Sequence, residues 1–298
     1  AQHFVKRHVE NIFEQKKMPE LRYVSHISRN ASRHPRLMHS HKDHTEIILI
    51  CDGNSEFLIH NKKYPVKKGD LLIYNPGIIH DDVTGKDSEL ELYCAAIGNL
   101  DMKKTGNNTP IPENGLIPEK APFIYHTEER EYDFFYNIFR LMFDMLRREE
   151  TGAESVSAYL IEAMIVRVMS MIDRIEGVAV EPMENPSVIG MQIKEYIDEH
   201  YMEPLTLQSI GKELHISPYY LSHIFKDMSG YSPIQYLLRR RLGEAQNLLI
   251  STDLSITDIA GMVGFDTQSY FNAQFTKNVG IPPKKYRQNY LTKNEEES

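Results

Sequence analysis

Two stretches of this chain, 205–236 and 255–286, are similar enough to be copies of one unit. They lie about fifty residues apart, a period that is typical of repeated structural units. Aligned from their C-terminal ends, the copies match at pairs that include Leu221 with Phe271, Phe225 with Phe275, Gly230 with Gly280, Pro233 with Pro283 and Tyr236 with Tyr286. Each copy predicts a short helix, a tight turn and a second helix, which is the helix-turn-helix layout.

Start and stop signals mark the second helix of each copy. Ser217 and Thr267 are predicted N-caps, because a hydroxyl oxygen there accepts a hydrogen bond from a backbone N–H that the helix leaves unpaired. Pro218 fits the first helical position, where a missing N–H costs nothing. Gly230 and Gly280 are predicted to end the two helices in the left-handed conformation.

A single helix over residues 234–250 is predicted to join the two copies. Its apolar residues recur three or four apart on one side: Leu238, Leu242, Ala245 and Leu249. A rigid helix between two helix-turn-helix units holds two recognition helices at a fixed separation. Successive major-groove faces on one side of DNA lie about 34 Å apart, so this arrangement indicates DNA binding.

The stretches ISPYYLSHIFKDMSGYSPIQYL and IAGMVGFDTQSYFNAQF, the latter followed by GIPPKKYR, resemble the DNA-binding domain of AraC/XylS transcription regulators. The resemblance implies a phosphate contact from Arg241 and base contacts from positions early in each recognition helix. By position, the implied residues are Pro218, Tyr219, Tyr220, Ser222 and His223 in the first copy and Gln268, Ser269, Tyr270, Asn272 and Ala273 in the second. Amide side chains such as Asn272 suit adenine edges, and tyrosine suits a thymine methyl group. A solvated surface is the alternative interpretation.

The formal net charge is −8, from 42 acidic and 34 basic residues, which is not typical of a nucleic-acid-binding protein. The location of the basic residues matters more than the sum. Near the predicted DNA surface lie Lys226, Arg239, Arg240, Arg241, Lys277, Lys284, Lys285 and Arg287. We therefore expect modest non-specific DNA affinity with a shallow dependence on salt.

The N-terminal part has a different pattern. From residue 21 to 98, short β-forming runs alternate with turn signals, which indicates a sandwich or barrel. The pieces HSHKDHTE (39–46) and GDLLIYNPGIIH (69–80) resemble the two motifs of the cupin barrel, which commonly forms the sensor half of AraC-type regulators. The resemblance implies a ligand site, with the candidates His39, His41, Glu46, Tyr74, His80 and Tyr93.

Four of these residues, His39, His41, Glu46 and His80, have the spacing by which metal-binding cupins assemble three imidazoles and a carboxylate. On a strand, His39 and His41 point to the same face, because side chains alternate. Such donors suit Zn, Mn, Fe or Ni. The alternative is that they bind a ligand, or one another, without metal. His44 is out of register and is expected to be exposed.

The predicted fold class is α+β multidomain, with an N-terminal cupin-like β-barrel followed by two helices and a C-terminal all-α domain with two helix-turn-helix units. The predicted bounds are 1–127 for the ligand-sensing barrel with its N-terminal arm, 128–176 for the helices, 177–186 for a linker and 187–291 for the DNA-binding domain. The two long helices, about 129–149 and 153–175, either pack on the barrel or form a dimer interface.

Cysteine content and hydropathy predict the compartment. Cys51 and Cys94 are the two cysteines and lie on separate apolar runs, so buried free thiols are expected. The first residues, AQHFVKRHVENIF, lack the apolar core of a signal peptide. No apolar run is expected to reach membrane-spanning length. These features predict a cytoplasmic protein with no membrane partner.

The sequence thus predicts a ligand-responsive transcription regulator without catalytic residues. It would bind double-stranded promoter DNA, form a homodimer and respond to a small-molecule effector, for which the family suggests a sugar. No cofactor is assigned beyond the candidate divalent metal. Two alternatives stay open here: a metal-dependent cupin enzyme fused to a helical module, and a helix-turn-helix pair used only for protein contacts.

Overall fold

The structure is a computed structural model that describes residues 18–29, 37–59, 62–83, 90–102, 110–175 and 188–291. The predicted N-terminal arm lies almost entirely outside the described residues, and the predicted linker at 177–186 lies wholly outside them. Strands fill the described N-terminal part, and helices fill the described C-terminal part. The predicted α+β class is confirmed.

The strands form two antiparallel sheets. They are β1 (Glu20–Ile27), β2 (His44–Asp52), β3 (Asn54–Ile59), β4 (Lys62–Lys67), β5 (Asp70–Tyr74), β6 (His80–Val83), β7 (Glu91–Gly98) and β8 (Ile124–His126). One sheet has the order β1-β7-β2-β5-β8, and the other has the order β4-β3-β6. Across the described ranges, the ladders of the two sheets do not join, so the predicted barrel is not closed.

Strand β2 is almost continuously buried because both of its faces are covered. It pairs with β5 on one side and β7 on the other, with Glu46 opposite both Tyr74 and Ala96. Its sequence HTEIILICD lacks the alternation of a half-exposed strand, as expected where both faces pack. Glu46 is the one charged residue within this buried run, at 1% exposure.

Two long helices cover one face of the larger sheet. They are α1 (Glu129–Arg147) and α2 (Ala153–Ile175). Their inward side chains join the sheet in one apolar core: Phe135, Phe139, Met142, Ile161, Met164, Ile165 and Val168. Buried Glu131 of α1 accepts from Arg167 of α2 at 3.0 Å and also pairs with Arg174. This ion cluster and the apolar core together hold the helices on the sheet.

The expectation that no apolar run reaches membrane-spanning length is wrong for α2. Its stretch Ala153–Ile172 is 20 residues long and apolar enough to cross a membrane by length and composition. The structure gives a local reason for this composition, because Ile161, Ile165 and Val168 are buried in the core. Four large apolar side chains of α1 and α2 are instead exposed, namely Leu141, Val156, Tyr159 and Val166.

Seven helices make up the described C-terminal part. They are α3 (Val188–His200), α4 (Leu207–Glu213), α5 (Pro218–Ser229), α6 (Pro233–Ser251), α7 (Ile256–Met262), α8 (Gln268–Val279) and α9 (Pro283–Leu291). Helices α4 and α5 form the first helix-turn-helix unit, and α7 and α8 form the second. Helix α6 joins them, as predicted.

The predicted caps are present. The Ser217 hydroxyl accepts from the Tyr220 N–H, and the Thr267 hydroxyl accepts from the Tyr270 N–H. Gly230 and Gly280 follow α5 and α8 with φ of 74° and 93°. These helix ends are set by local hydrogen bonds and backbone freedom, so they are encoded within a few residues of sequence.

The turn between α7 and α8 is one residue longer than the turn between α4 and α5. Both turns contain a residue in the left-handed conformation. In the α4–α5 turn, His215 has φ 56° and the Ile216 N–H donates to the Gly211 carbonyl at 2.8 Å. In the α7–α8 turn, Gly264 has φ 90° and the Phe265 N–H donates to the Ala260 carbonyl at 2.9 Å. Both bonds have the six-to-one pattern of a Schellman helix end.

Each helix-turn-helix unit has its own apolar cluster. Leu221 and Phe225 lie in the first cluster, and Phe271 and Phe275 lie in the second. Both clusters also take side chains from the N-terminal part: Leu37 in the second, and Met38, Leu58 and Ile79 in the first. The β-rich part and the helical part are therefore packed against each other.

Candidate effector site and nucleic-acid interface

The four predicted metal-ligating residues come together. Ligand atoms of His39, His41, Glu46 and His80 all lie within 4.8 Å of one another. The His80 Nε2 lies 3.0 Å from one Glu46 oxygen, and the His41 Nε2 lies 3.4 Å from the other. The rings of His39 and His41 are 5.1 Å apart, so the two side chains meet, although neither lies on a strand whose alternation would place them.

Backbone carbonyls orient two of the imidazoles. The His39 Nδ1 lies 2.9 Å from the Leu37 carbonyl, and the His80 Nδ1 lies 3.1 Å from the Ile78 carbonyl. A carbonyl oxygen only accepts, so each Nδ1 carries the proton and donates it. This leaves each Nε2 to face the cluster, where the His80 Nε2 donates to the Glu46 carboxylate at 3.0 Å. A bound metal ion would take the place of that proton.

Glu46 is the electrostatic centre of the cluster. Burial opposes its charge, but the neighbouring His41 and His80 imidazoles outweigh this effect and hold the pKa of the Glu46 carboxyl well below its usual value. The Tyr23 hydroxyl donates to the same carboxylate, and the Cys94 thiol lies 3.6 Å from it. The sequence did not reveal Tyr23 or Cys94 here, because only the strand order β1-β7-β2 brings them beside Glu46.

Tyr74 and Tyr93, both candidate ligand-binding residues, lie in different places. The Tyr74 ring stacks on His80 at 4.2 Å, next to the cluster. Tyr93 stacks on Phe139 of α1 at 5.9 Å, on the helix-covered face of the sheet. It is adjacent to Cys94, whose thiol faces Glu46, and successive side chains of a strand point to opposite faces. The placement of Tyr93 in the site is therefore wrong.

His44 is less exposed than the sequence predicts. Its side chain is 11% exposed, and its ring lies 4.1 Å from the ring of His41. Its Nδ1 lies 2.9 Å from Asp43, and this hydrogen bond lowers the pKa of the Asp43 carboxyl. Alternation along β2 does not apply to His41, because the strand begins at His44. His44 thus forms an outer wall of the cluster.

The first recognition helix, α5, presents its predicted residues outward. Tyr219 is 82% exposed and Tyr220 is 48% exposed, while Leu221 and Phe225 are buried beneath them. The Tyr219 and His223 rings are nearly parallel at 6.1 Å. Pro218 and His223 are exposed, and Ser222 is half-buried. Among the residues that the structure describes, none covers these aromatic and imidazole edges.

The second recognition helix, α8, has a similar layout with more polar side chains. Gln268, Ser269, Tyr270 and Ala273 are exposed, and Asn272 is half-buried. The Gln268 side-chain oxygen accepts from the Thr257 hydroxyl at 2.8 Å, which orients the amide. Gln268, Asn272 and Lys277 line an open groove of about 770 Å³ beside this helix.

The arginines of α6 are placed differently from the predicted groove-facing set. Arg241 donates to the Tyr201 carbonyl at 2.7 Å and the Glu203 carbonyl at 2.6 Å, so it holds the connection between α3 and α4. Burial lowers its pKa. Arg240 is 4% exposed, and Arg239 pairs with Asp81, so neither faces a DNA groove. The phosphate contact of Arg241 stays a prediction.

Comparisons with known proteins agree with both halves of this description. A model described as AraC-like ligand binding domain matches residues 23–163, and one described as Helix-turn-helix domain matches residues 210–289. The chain belongs to the AraC/XylS family. It has the ligand-binding and DNA-binding domains of a transcription regulator, and the resemblance inferred from the sequence is confirmed.

Several transcription regulators are similar to this chain over most of its length. The HTH-type transcriptional regulator YdiP of Escherichia coli is 26% identical over 258 residues, which are 85% of this chain and 81% of YdiP. The HTH-type transcriptional activator RhaR of Pectobacterium atrosepticum is 23% identical over 263 residues, 88% of this chain and 90% of RhaR. A solved structure, the C-terminal domain of AraT, a response regulator from Geobacillus stearothermophilus, is 40% identical; the match has a TM-score of 0.35 and covers 36% of this chain and 88% of that one.

Proposed function

We propose that this AraC/XylS-family regulator is a cytoplasmic homodimer whose DNA binding responds to a small molecule held at the His39–His41–Glu46–His80 cluster. It acts by binding and not by turnover. The observation that carries the proposal is the pairing, in one chain, of two outward recognition faces with a buried cluster of imidazoles around an ionised carboxylate. Three parts of the proposal can be tested separately.

Promoter binding rests on the exposed faces of α5 and α8. Tyr219 and His223 lie side by side on α5 and are supported by buried Phe225, so their removal changes the surface and leaves the core intact. A base contact contributes about 1–3 kcal/mol, so Tyr219→Ala with His223→Ala should weaken binding roughly tenfold or more. Mobility shift on the DNA upstream of its own gene measures this. The control is Gln192→Ala, an exposed position of α3; equal weakening in both variants contradicts the assignment.

The cluster fits a divalent ion. Three imidazoles and one carboxylate converge within 4.8 Å, with the Nε2 atoms of His39 and His80 directed inward by carbonyls, and this donor set suits Zn, Mn, Fe or Ni. A bound ion would act as a Lewis acid that orients an effector oxygen. Without metal, Glu46 and the same imidazoles would hydrogen-bond the effector, for example a sugar hydroxyl.

Elemental analysis and thermal unfolding distinguish these two forms. Metal retained by the wild type and by His126→Ala, but lost by His80→Ala, supports the metal-bound form; His126 is exposed outside the cluster. A ligand at 100 times its Kd stabilises the folded protein by about 2.7 kcal/mol, so a thermal-shift screen with metals and sugars detects either form. No retained metal and no metal-induced shift would overturn the metal-bound form.

Dimerisation rests on the exposed face of α2. Val156, Tyr159 and Val166 are 39%, 68% and 49% exposed and lie within one side of the helix, opposite its buried stripe. Contiguous apolar surface of this kind is typical of protein interfaces. Sedimentation should therefore show a dimer for the wild type and for Lys120→Asp, an exposed loop position, but a monomer for Tyr159→Asp with Val166→Asp. A dimer of unchanged affinity in that variant would contradict this interface.

A further inference from the structure

Two short segments, 37–39 and 79–81, have one side at the effector cluster and the other against the DNA-binding domain; we call them the joint. The His39 N–H donates to the His80 carbonyl, and the His80 N–H donates to the His39 carbonyl, each at 3.0 Å. The two imidazoles belong to the cluster. The neighbouring side chains Met38 and Ile79 lie in the apolar cluster of the first helix-turn-helix unit.

Leu37 connects the two sides within a single residue. Its N–H donates to the side-chain oxygen of Gln246 on α6 at 2.7 Å. Its carbonyl accepts from the His39 Nδ1 at 2.9 Å. The hydrogen bond that orients an imidazole of the cluster and the one that anchors the joint to α6 therefore use the same residue.

An ion pair holds the other segment. Asp81 directly follows His80 and is fully buried, and it pairs with Arg239 of α6, whose Nε lies 3.1 Å from the carboxylate. The Arg239 guanidinium also lies 5.0 Å from the ring centroid of Tyr231. Separating α6 from the joint would leave the Asp81 carboxylate without this partner, and charges left unpaired in the interior are strongly unfavourable.

The backbones of the joint and α6 touch at a glycine. A Cβ added at Gly243 would lie well inside the contact distance of the Met38 carbonyl oxygen, and that oxygen belongs to backbone and not to a flexible side chain. Helix α6 is therefore docked as closely as a helix backbone allows. A single methyl group is enough to push it away.

We propose that the joint couples occupancy of the cluster to the docking of α6, the helix that carries both helix-turn-helix units. The proposal rests on the proposed function, in that the cluster takes a divalent ion. The docked arrangement already brings the four donors together, so an ion that binds these donors stabilises the docked state. By linkage, a change that undocks α6 weakens binding of the ion by the same factor as the ion favours docking.

The test uses the full chain and Zn²⁺ alone as the probe, with hydrogen exchange of the α6 amides as the readout. We expect Zn²⁺ to slow their exchange in the wild type by about 5- to 150-fold, the usual range of coupling between sites. Gly243→Ala should abolish this slowing and lower the affinity for Zn²⁺ by a similar factor. The matched control is Gly261→Ala in α7, where an added Cβ meets nothing within 4 Å. Arg239→Met is a second undocking variant and should behave like Gly243→Ala.

The outcomes separate the coupling from the metal assignment. Zn²⁺ that binds every variant equally and leaves α6 exchange unchanged in the wild type overturns the coupling while the metal site stands. If the wild type does not bind Zn²⁺, the metal assignment fails, and His80→Ala then decides the coupling. Faster α6 exchange in His80→Ala than in the His126→Ala control supports the joint, and equal exchange overturns it.

Discussion

Gly264→Ala should destabilise the second helix-turn-helix unit far more than its small size suggests. Gly264 has φ 90°, and its added Cβ would lie 2.7 Å from the Met202 carbonyl oxygen and 3.0 Å from the Arg241 guanidinium. The left-handed conformation costs an alanine about 1–2 kcal/mol. Crowding against backbone costs about another 1–3 kcal/mol. We therefore expect the free energy of unfolding to fall by about 2–5 kcal/mol.

Urea unfolding followed by far-UV circular dichroism measures this loss, since the chain contains no tryptophan for fluorescence. The matched control is Gly261→Ala, three residues earlier in α7, where the Cβ meets open space. There the exchange of glycine for alanine within a helix should stabilise by up to about 1 kcal/mol. If Gly264→Ala unfolds at the same urea concentration as Gly261→Ala, the argument from backbone conformation and crowding is refuted.

Three further outcomes are expected. Burial, and then Asp198, hold the pKa of the Tyr236 hydroxyl well above its usual value. Its contribution to stability should be full below about pH 10 and fall as pH rises further, so urea titrations of Tyr236→Phe should show a smaller alkaline fall than the wild type. Burial raises the pKa of the Cys51 thiol to about 12, so iodoacetamide at pH 8 should label it only after unfolding, as mass spectrometry can show. Phe225→Ala should cost about 3–5 kcal/mol by calorimetry, because the ring is fully buried.

The helical domain was predictable from sequence because its signals are local. Ser217 and Thr267 cap helices through bonds to residues three positions away, and Gly230 and Gly280 end helices through their own backbone conformation. Such features depend on a few neighbouring residues, so no knowledge of tertiary packing is needed. The His39–His80 cluster was predictable for a different reason, since the motif itself carries the spacing of its donors.

The errors come from packing between elements. The cupin resemblance includes Tyr93 among the candidates for the effector site, but the side of the sheet that α1 covers is decided by residues far along the chain. Tyr23 was missed because it reaches Glu46 from a strand that is not adjacent to β2 in the sheet. The periodicity of a sequence shows which residues share one face of a helix or strand, but it does not identify the element that packs against that face.

The placement of the arginines connects the packing to the expected salt dependence of DNA binding. Arg239 pairs with Asp81, while Arg241 and Arg287 donate to backbone carbonyls. Of the predicted groove-facing cations, the exposed ones are Lys226, Lys277, Lys284 and Lys285. Because each neutralised phosphate contributes about −0.9 to the slope of log affinity against log salt, four lysines give a slope near −4 per DNA-bound subunit, whereas all eight cations would give about −7. Interdomain and interhelical contacts thus engage arginines that a sequence count would assign to DNA, and a shallow salt dependence therefore stays the prediction for this chain of net charge −8.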